Sequence, residues 1–231
     1  MRAAGIRRPQ RTTTTEQAYQ SILAAILDGT IPADAPLRLQ DLSESLGMSM
    51  MPIREAIRRL ESIGVVEIEP HRGARVRAVS ADDLEDTYLT RITLEGILVR
   101  RAAARFDTAA EEEARKALDD QQKALETGDA AAACEAHERF HHGIYRAAGS
   151  MWLFRSIAPT WHNSERYRAS STADAQIVLS RRKEHELILQ ACVDGQPEKA
   201  QEALQQHLLA TVAALDPEIA QRLARAVAAD S

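Results

Sequence analysis

The chain is short of aromatic residues, of cysteines and of long apolar runs, and each shortage narrows what it can be. Aromatics make up 4% of the 231 residues, while Ala and Leu are abundant and apolar residues recur at helical spacing over most of the length. That pattern points to a mostly helical protein. The two cysteines, Cys134 and Cys192, lie inside helical patterns without C-x-x-C spacing. They read as two reduced, buried thiols of a cytoplasmic protein, not as a disulfide. No apolar stretch approaches the length that spans a bilayer, which sets membrane proteins aside. Arg7-Arg8 is followed by Pro-Gln-Arg-Thr where an export signal needs an apolar stretch, so no such signal is expected. Net positive charge is also missing, since the total is -5. The balance is uneven, however. Residues 1–79 hold 11 Lys+Arg against 9 Asp+Glu, and the remainder holds 18 against 25. A slightly basic head on an acidic body fits a head that meets a polyanion, although the excess is small.

The length allows two domains, and the pattern divides near residue 79. In the head, residues 1–11 carry four arginines and no acid and read as a disordered arm. A first helix is expected from Thr14 to Asp28, with Tyr19, Ile22, Leu23 and Ile26 as its apolar stripe and Gly29 as its stop. Pro32 and Pro36 keep the next stretch open. A short helix spans Leu39 to Leu46, ended by Gly47. Ser49 then caps a third helix with Pro52 in its first turn. Ile53, Ile57 and Leu60 face inward there, while Arg54, Arg58 and Arg59 do not. Val65–Ile68 and Ala74–Val79 read as strands around Pro70-His71-Arg72-Gly73, a hairpin with a basic tip. Helix, short helix, glycine turn, arginine-bearing helix and hairpin together make a winged helix-turn-helix. Arginines on the free side of such a helix reach guanine edges or phosphates in the major groove.

The body, residues 80–231, opens with Ser80-Ala81-Asp82-Asp83, a capping-box pattern. A helix follows to about Phe106, and the wing strand runs almost directly into it. Further helices are expected from Asp107 or Thr108 to Thr127, from Asp129 to about Gly149, from Met151 to Arg168, from Ala175 to Asp194, from Pro197 to Leu215, and briefly after Asp216-Pro217. Six or seven antiparallel helices on short loops make a bundle. Within it, His137-Glu138-Arg139-Phe140-His141-His142 concentrates three of the seven histidines. His137 and His141 are four apart and share a helix face. With His185 and His207 from two other helices they can converge on one divalent metal in the core. Imidazoles suit Zn, Ni, Cu or Co better than Mg or Ca, and Zn is the first expectation with Ni the second. His162 is a weaker candidate for the pocket, and His142 points away from His141.

The same run satisfies H-E-x-x-H, the zinc-peptidase motif in which Glu138 would be a general base. The longer metzincin pattern fails because Ile144 stands where Gly is required. A third ligand such as Glu165 would lie beyond Gly149. Four histidines would also leave little room for a catalytic water. The protein is therefore not read as an enzyme.

Two stretches resemble a known family. The run Leu46-Gly47-Met48-Ser49-Met50-Met51-Pro52-Ile53-Arg54-Glu55-Ala56-Ile57-Arg58-Arg59-Leu60, with Gly64-Val65-Val66 and Arg72-Gly73-Ala74-Arg75-Val76, resembles the DNA-binding domain of the GntR family of bacterial transcription regulators. The resemblance implies that Arg54 reads a base, that Arg58 and Arg59 lie near the backbone, and that His71 and Arg72 enter the minor groove. Ser49, Met50 and Gln40 join the candidate interface. Met50 stands where the family usually has Arg, and Gln40 where some members do. Met cannot make the bidentate guanine contact, so an altered operator is expected. The body resembles the FadR C-terminal (FCD) domain through Arg91-Ile92-Thr93-Leu94-Glu95, Phe140-His141, Glu184-His185, and His207 after Ala200 and Ala203. That resemblance implies a metal site and an Arg91 that holds the carboxylate of a small effector. His137 occupies the place of the family's Asp, making the site all imidazole. Ser150 stands where Asn is frequent.

The expectation is a ligand-responsive, cytoplasmic regulator, most simply a repressor, that binds a near-palindromic double-stranded DNA operator as a homodimer. The alternatives are a metal sensor without an organic effector, or an H-E-x-x-H metallohydrolase.

Overall fold

The computed structural model describes residues 13–69, 72–169 and 175–229. The chain divides into two compact units, with the boundary between Ala78 and Val79.

In the first unit, α1 (Thr14–Leu27) begins where the Thr13 hydroxyl accepts the Glu16 N–H at 3.1 Å. Ala18, Tyr19, Ile22, Leu23 and Ile26 form its buried stripe. Helix α2 (Leu39–Leu46) stops at Gly47, whose φ of 62° lies in the left-handed region open to glycine at little cost. Helix α3 (Met50–Ser62) buries Ile53, Ala56, Ile57 and Leu60, a helical spacing that fixes which face is inward. Strands β2 (Val66–Glu69) and β3 (Gly73–Val76) pair antiparallel, with Val66 opposite Val76. The second strand is shorter than expected and ends at Val76 instead of Val79. A third strand, β1 (Pro36–Leu37), lies on the other edge of β3, in a stretch expected to be open. Its cause is Leu37, which sinks into the core of this unit and brings its backbone opposite Ala74. Pro36 is tolerated because the strand is at an edge.

The second unit is a helical bundle. Helix α4 (Ala81–Ala103) starts at Ser80, whose hydroxyl accepts the Asp83 N–H at 3.1 Å. It ends three residues before Phe106. Asp107 caps α5 (Thr108–Glu126) and Asp129 caps α6 (Ala130–Ala147), each through a carboxylate oxygen on the third N–H. The helix expected over 151–168 is split into α7 (Met151–Ser156) and α8 (Ala158–Ala169). Pro159 explains the break, since its ring offers no N–H and clashes with the carbonyl four residues earlier. Helices α9 (Ala175–Val193), α10 (Pro197–Leu215) and α11 (Pro217–Ala229) complete the unit. The bundle thus has eight helices among the described residues, one more than the upper expectation.

Helix α4 is the central element and packs against α6, α8, α9, α10 and α11. Tyr88, Leu98, Phe140, Ile144, Trp161, Ile188 and Leu204 are among the buried residues of one continuous core. Cys192 belongs to it, and burial pushes its thiol up to about 12. Cys134 corrects the expectation of two buried thiols, because it is exposed on α6. No helix among the described residues is long and apolar enough to cross a membrane.

Candidate functional site

Two sites emerge, one in each unit. In the first, α3 presents its free side as expected. Arg54 and Arg58 are exposed, and Met50 and Met51 at the helix start are exposed beside them. Arg59 differs. Its guanidinium pairs with Glu16 at 2.7 Å and lies 4.1 Å from the centre of the Tyr19 ring. It ties α3 to α1 and is less available than its neighbours. Ser49 occupies the N-cap position, yet its side chain makes no capping hydrogen bond. Gln40 is exposed and donates to Glu44 at 3.2 Å. Arg72 is exposed and pairs with Glu69 at 3.2 Å. His71 and the arginine arm of residues 1–11 lie outside the described residues.

In the second unit, His137 and His141 of α6, His185 of α9 and His207 of α10 meet. Each offers a ring nitrogen, and these atoms all lie within 4.8 Å of one another. All four side chains are buried. Nε2 of His141 and Nε2 of His185 are 3.2 Å apart. Tetrahedral zinc holds its nitrogen ligands about 3.3 Å apart, so this pair already has the spacing of a metal edge.

Neighbouring groups decide which nitrogens carry protons. The Tyr145 hydroxyl donates to Glu95 Oε2 at 2.7 Å, so its oxygen accepts from His141 Nδ1 at 3.2 Å. The Glu184 carboxylate accepts from His207 Nδ1 at 2.7 Å. With Nδ1 protonated, Nε2 of both rings is left as a lone pair, the form a metal requires. Arg168 Nη1 donates toward His137, at 2.9 Å from Nδ1 and 3.1 Å from Nε2. Arg168 also pairs with Glu165. The donor set therefore fits a divalent transition metal: four neutral imidazoles, a protein interior, and outer groups that hold two tautomers.

Burial is the first cause holding the imidazoles of His137, His141 and His185 well below 6.5, and it takes His207 down to about 3. Nearby cations and the other imidazoles add to it. The rings are thus neutral at pH 7. Histidines of the unfolded chain take up protons as the pH falls through 6.5, whereas the buried ones do not. The unfolded state then binds more protons, and stability falls with pH. From pH 6.5 to 5, a histidine such as His207 contributes about 2 kcal/mol to this loss. The denaturant midpoint at pH 5 is expected to lie well below that at pH 7, and an unchanged midpoint would contradict the buried, neutral assignment.

Arg91 lies one layer out. It is buried and fully paired with Glu95, through Nε at 2.7 Å and Nη2 at 3.2 Å. Its Nη1 donates to Ser164 at 2.8 Å, and the guanidinium is 4.8 Å from the Trp161 ring. Two of the five N–H groups of an arginine remain. His142 stands apart from the four and pairs with Glu138 at 3.2 Å, while Trp161 and Phe154 pack on its ring. His162 is outside the cluster as well. Glu138, the base of the H-E-x-x-H reading, is turned to His142 and is half exposed, away from the buried quartet.

Sequence reasoning missed Tyr145, Glu184 and Arg168 as partners of the histidines. Tyr145 is four residues after His141, so helical spacing alone flags it. Glu184 precedes His185 directly and reaches His207 only through the packing of α9 on α10. Arg168 has no local signal, because its contact with His137 joins residues 31 apart.

The comparisons with known proteins agree with this division. The profile described as "Bacterial regulatory proteins, gntR family" matches residues 14–76, and that of the FCD domain matches residues 86–210. The "Probable D-xylose utilization operon transcriptional repressor" of Paenarthrobacter nicotinovorans is 34% identical, over 88% of this chain and 89% of its own. The "HTH-type transcriptional repressor GlaR" of Escherichia coli is 24% identical, over 87% and 95%. The solved structure of E. coli McbR/YncC superposes with a TM-score of 0.78 at 22% identity, over 90% of this chain and 99% of that one, which shows a shared fold. The related proteins are transcription regulators and not enzymes, which sets the metallohydrolase alternative aside. The chain belongs to the GntR family of bacterial DNA-binding transcription regulators and carries an FCD domain behind its helix-turn-helix.

Proposed function

We propose that this regulator is a cytoplasmic repressor whose DNA affinity is set by a small carboxylate bound at a metal in the FCD domain. The observation that carries the reading is the convergence of His137, His141, His185 and His207 in the interior, with Tyr145 and Glu184 fixing two lone pairs. Zinc is the first candidate and nickel the second. When bound, the metal supplies a Lewis-acidic centre for a ligand carboxylate. The chain's own groups do the rest. Arg91 is held rigid by Glu95 and keeps two N–H groups for the carboxylate. Trp161 stacks on His137 at 5.6 Å and shields that side from water. The relatives named as repressors support the sign of regulation. A homodimer would set two α3 helices on a near-palindromic operator. The ligand acts on DNA affinity only by favouring one arrangement of the two heads.

The DNA half is tested at Arg54. A bidentate arginine–guanine contact discriminates by about 1–3 kcal/mol, or roughly 5- to 150-fold. Arg54→Ala is expected to weaken binding to selected operator DNA by that factor, with the helical circular dichroism unchanged. Arg59→Ala should cost less operator affinity, because Glu16 and Tyr19 already hold that side chain. Wild-type operator affinity in Arg54→Ala would sink the base-reading assignment. The metal half is tested by elemental analysis of the purified chain, where absence of any metal after exposure to zinc and nickel would remove it.

A further inference from the structure

Three methionines stand where α3 begins, and the fold treats them differently. Met48 packs against the core of the first unit. Met50 and Met51 do not. They are 49% and 67% exposed, while the other large apolar side chains of α3, Ile53, Ile57 and Leu60, are buried. A single apolar residue on a surface needs no explanation. An adjacent pair in the first turn of a helix that carries arginines on its free side is a different case.

Their place on the helix gives them neighbours. Arg54 follows Met50 by four residues and Met51 by three, so it lies beside both. Arg58 is turned to Glu55 at 3.5 Å and Arg59 to Glu16 at 2.7 Å, which leaves Arg54 as the arginine next to the pair. In a helix-turn-helix the N-terminal residues of the recognition helix meet the base edges. Met50 and Met51 are the first two residues of α3, so they enter the groove together with Arg54.

The chemistry of the thioether says what they can meet there. It has no donor and is a weak acceptor. Facing guanine, adenine or cytosine in the major groove, it would cover polar atoms and offer no hydrogen bond in return. Thymine differs, because its edge carries a C5-methyl group that an apolar side chain matches. The three rotatable bonds of methionine let it settle on such a methyl. Three to four residues of helix rise about 4.5–6 Å, which is one to two base steps of about 3.4 Å.

We propose that Met50 and Met51 are specificity-determining residues that read thymine 5-methyl groups within two base steps of the base contacted by Arg54. This rests on α3 as the reading helix, as set out above, and adds the base. Arg54 and Arg58 are exposed on the same helix, and their charge suits a phosphate-lined groove better than a protein surface.

The test uses the full chain and duplex DNA enriched by it from a random library. Affinities for single base-pair changes, measured by fluorescence anisotropy with wild type and Arg54→Ala, mark the base that Arg54 reads as the one the variant no longer discriminates. Each thymine within two steps of it is then replaced by deoxyuridine, which removes only the methyl. Wild type is expected to lose about fourfold in affinity at one or more of these thymines, the effect of burying one such carbon. Met50→Ala or Met51→Ala is expected to bind thymine and deoxyuridine DNA equally at that position. Comparing protein and DNA changes together separates this contact from any effect of deoxyuridine on the duplex alone. Both side chains are exposed and alanine favours a helix, so circular dichroism should be unchanged. An operator without thymine in that window, a wild type indifferent to every methyl there, or variants as sensitive to methyl loss as wild type would each overturn the proposal. The two readings fail separately. Arg54→Ala at wild-type affinity removes α3 as the reading helix, and this step with it. Arg54→Ala that loses affinity, beside a wild type indifferent to the methyls, overturns this step alone.

Discussion

Replacing His141 with alanine is expected to remove the metal from the purified protein and to lower its melting temperature by roughly 10 °C. His141 is the centre of the quartet. It is completely buried, its Nε2 lies 3.2 Å from that of His185, and its ring packs on His137, His185 and His207. Removing an outer-shell partner of a ligand costs about 10–100-fold in metal affinity, so loss of a ligand costs more. The thermal effect follows from linkage. A ligand present at a thousand times its dissociation constant stabilises the folded chain by about 4 kcal/mol, and each kcal/mol is about 2–4 °C in a chain of this size. Wild-type protein stripped by a chelator should melt close to the variant. The checks are elemental analysis and thermal melts with and without chelator. Equal metal content in the two proteins would refute the site.

Replacing Glu95 with alanine should have a comparable effect on stability for a different reason. Arg91 and Glu95 are 3% and 0% exposed and joined by two hydrogen bonds one turn apart on α4. Without Glu95 the guanidinium stays buried with no counter-charge, a state that costs about 3–5 kcal/mol. Tyr145 also loses the acceptor that turns its hydroxyl proton away from His141. The melting temperature should fall by roughly 10 °C even in metal-free protein. The double change Arg91→Met with Glu95→Leu should recover most of it, because an apolar pair of similar volume is close to neutral in such a place. A Glu95→Ala variant that melts within a few degrees of wild type would show that the pair is not the strut described here.

Much of the fold was legible because local rules set it. Ser80, Asp107 and Asp129 start helices with their own side chains, and Gly47 ends one by adopting a left-handed conformation. His137 and His141 were legible as a pair because helical spacing puts them on one face, and the resemblance to the FCD domain marked His185 and His207 as their partners. What escaped depends on distant partners. Strand β1 exists because β3 is beside it, and no propensity of Pro36-Leu37 announces that. The break at Ile157 needed a decision about whether Pro159 bends a helix or divides it. Arg59 looked like its neighbours Arg54 and Arg58 until Glu16 and Tyr19, some forty residues earlier, were placed against it. Arg168 carries no mark in the sequence that separates it from an ordinary surface arginine. Its contact with His137 arises only when α8 packs on α6.

In the proposed function, occupancy of the bundle site sets DNA affinity. It is tested most directly by fluorescence anisotropy on DNA selected in vitro with the full chain. Metal-loaded wild type, chelated wild type and His141→Ala would each be titrated with and without a panel of small carboxylates. The affinity of metal-loaded wild type is expected to shift on adding one of them, by a factor in the range of about 5–150 usual for allosteric coupling. His141→Ala is expected still to bind the DNA but not to respond. The same affinity in all of these states, with or without ligand and metal, would contradict it.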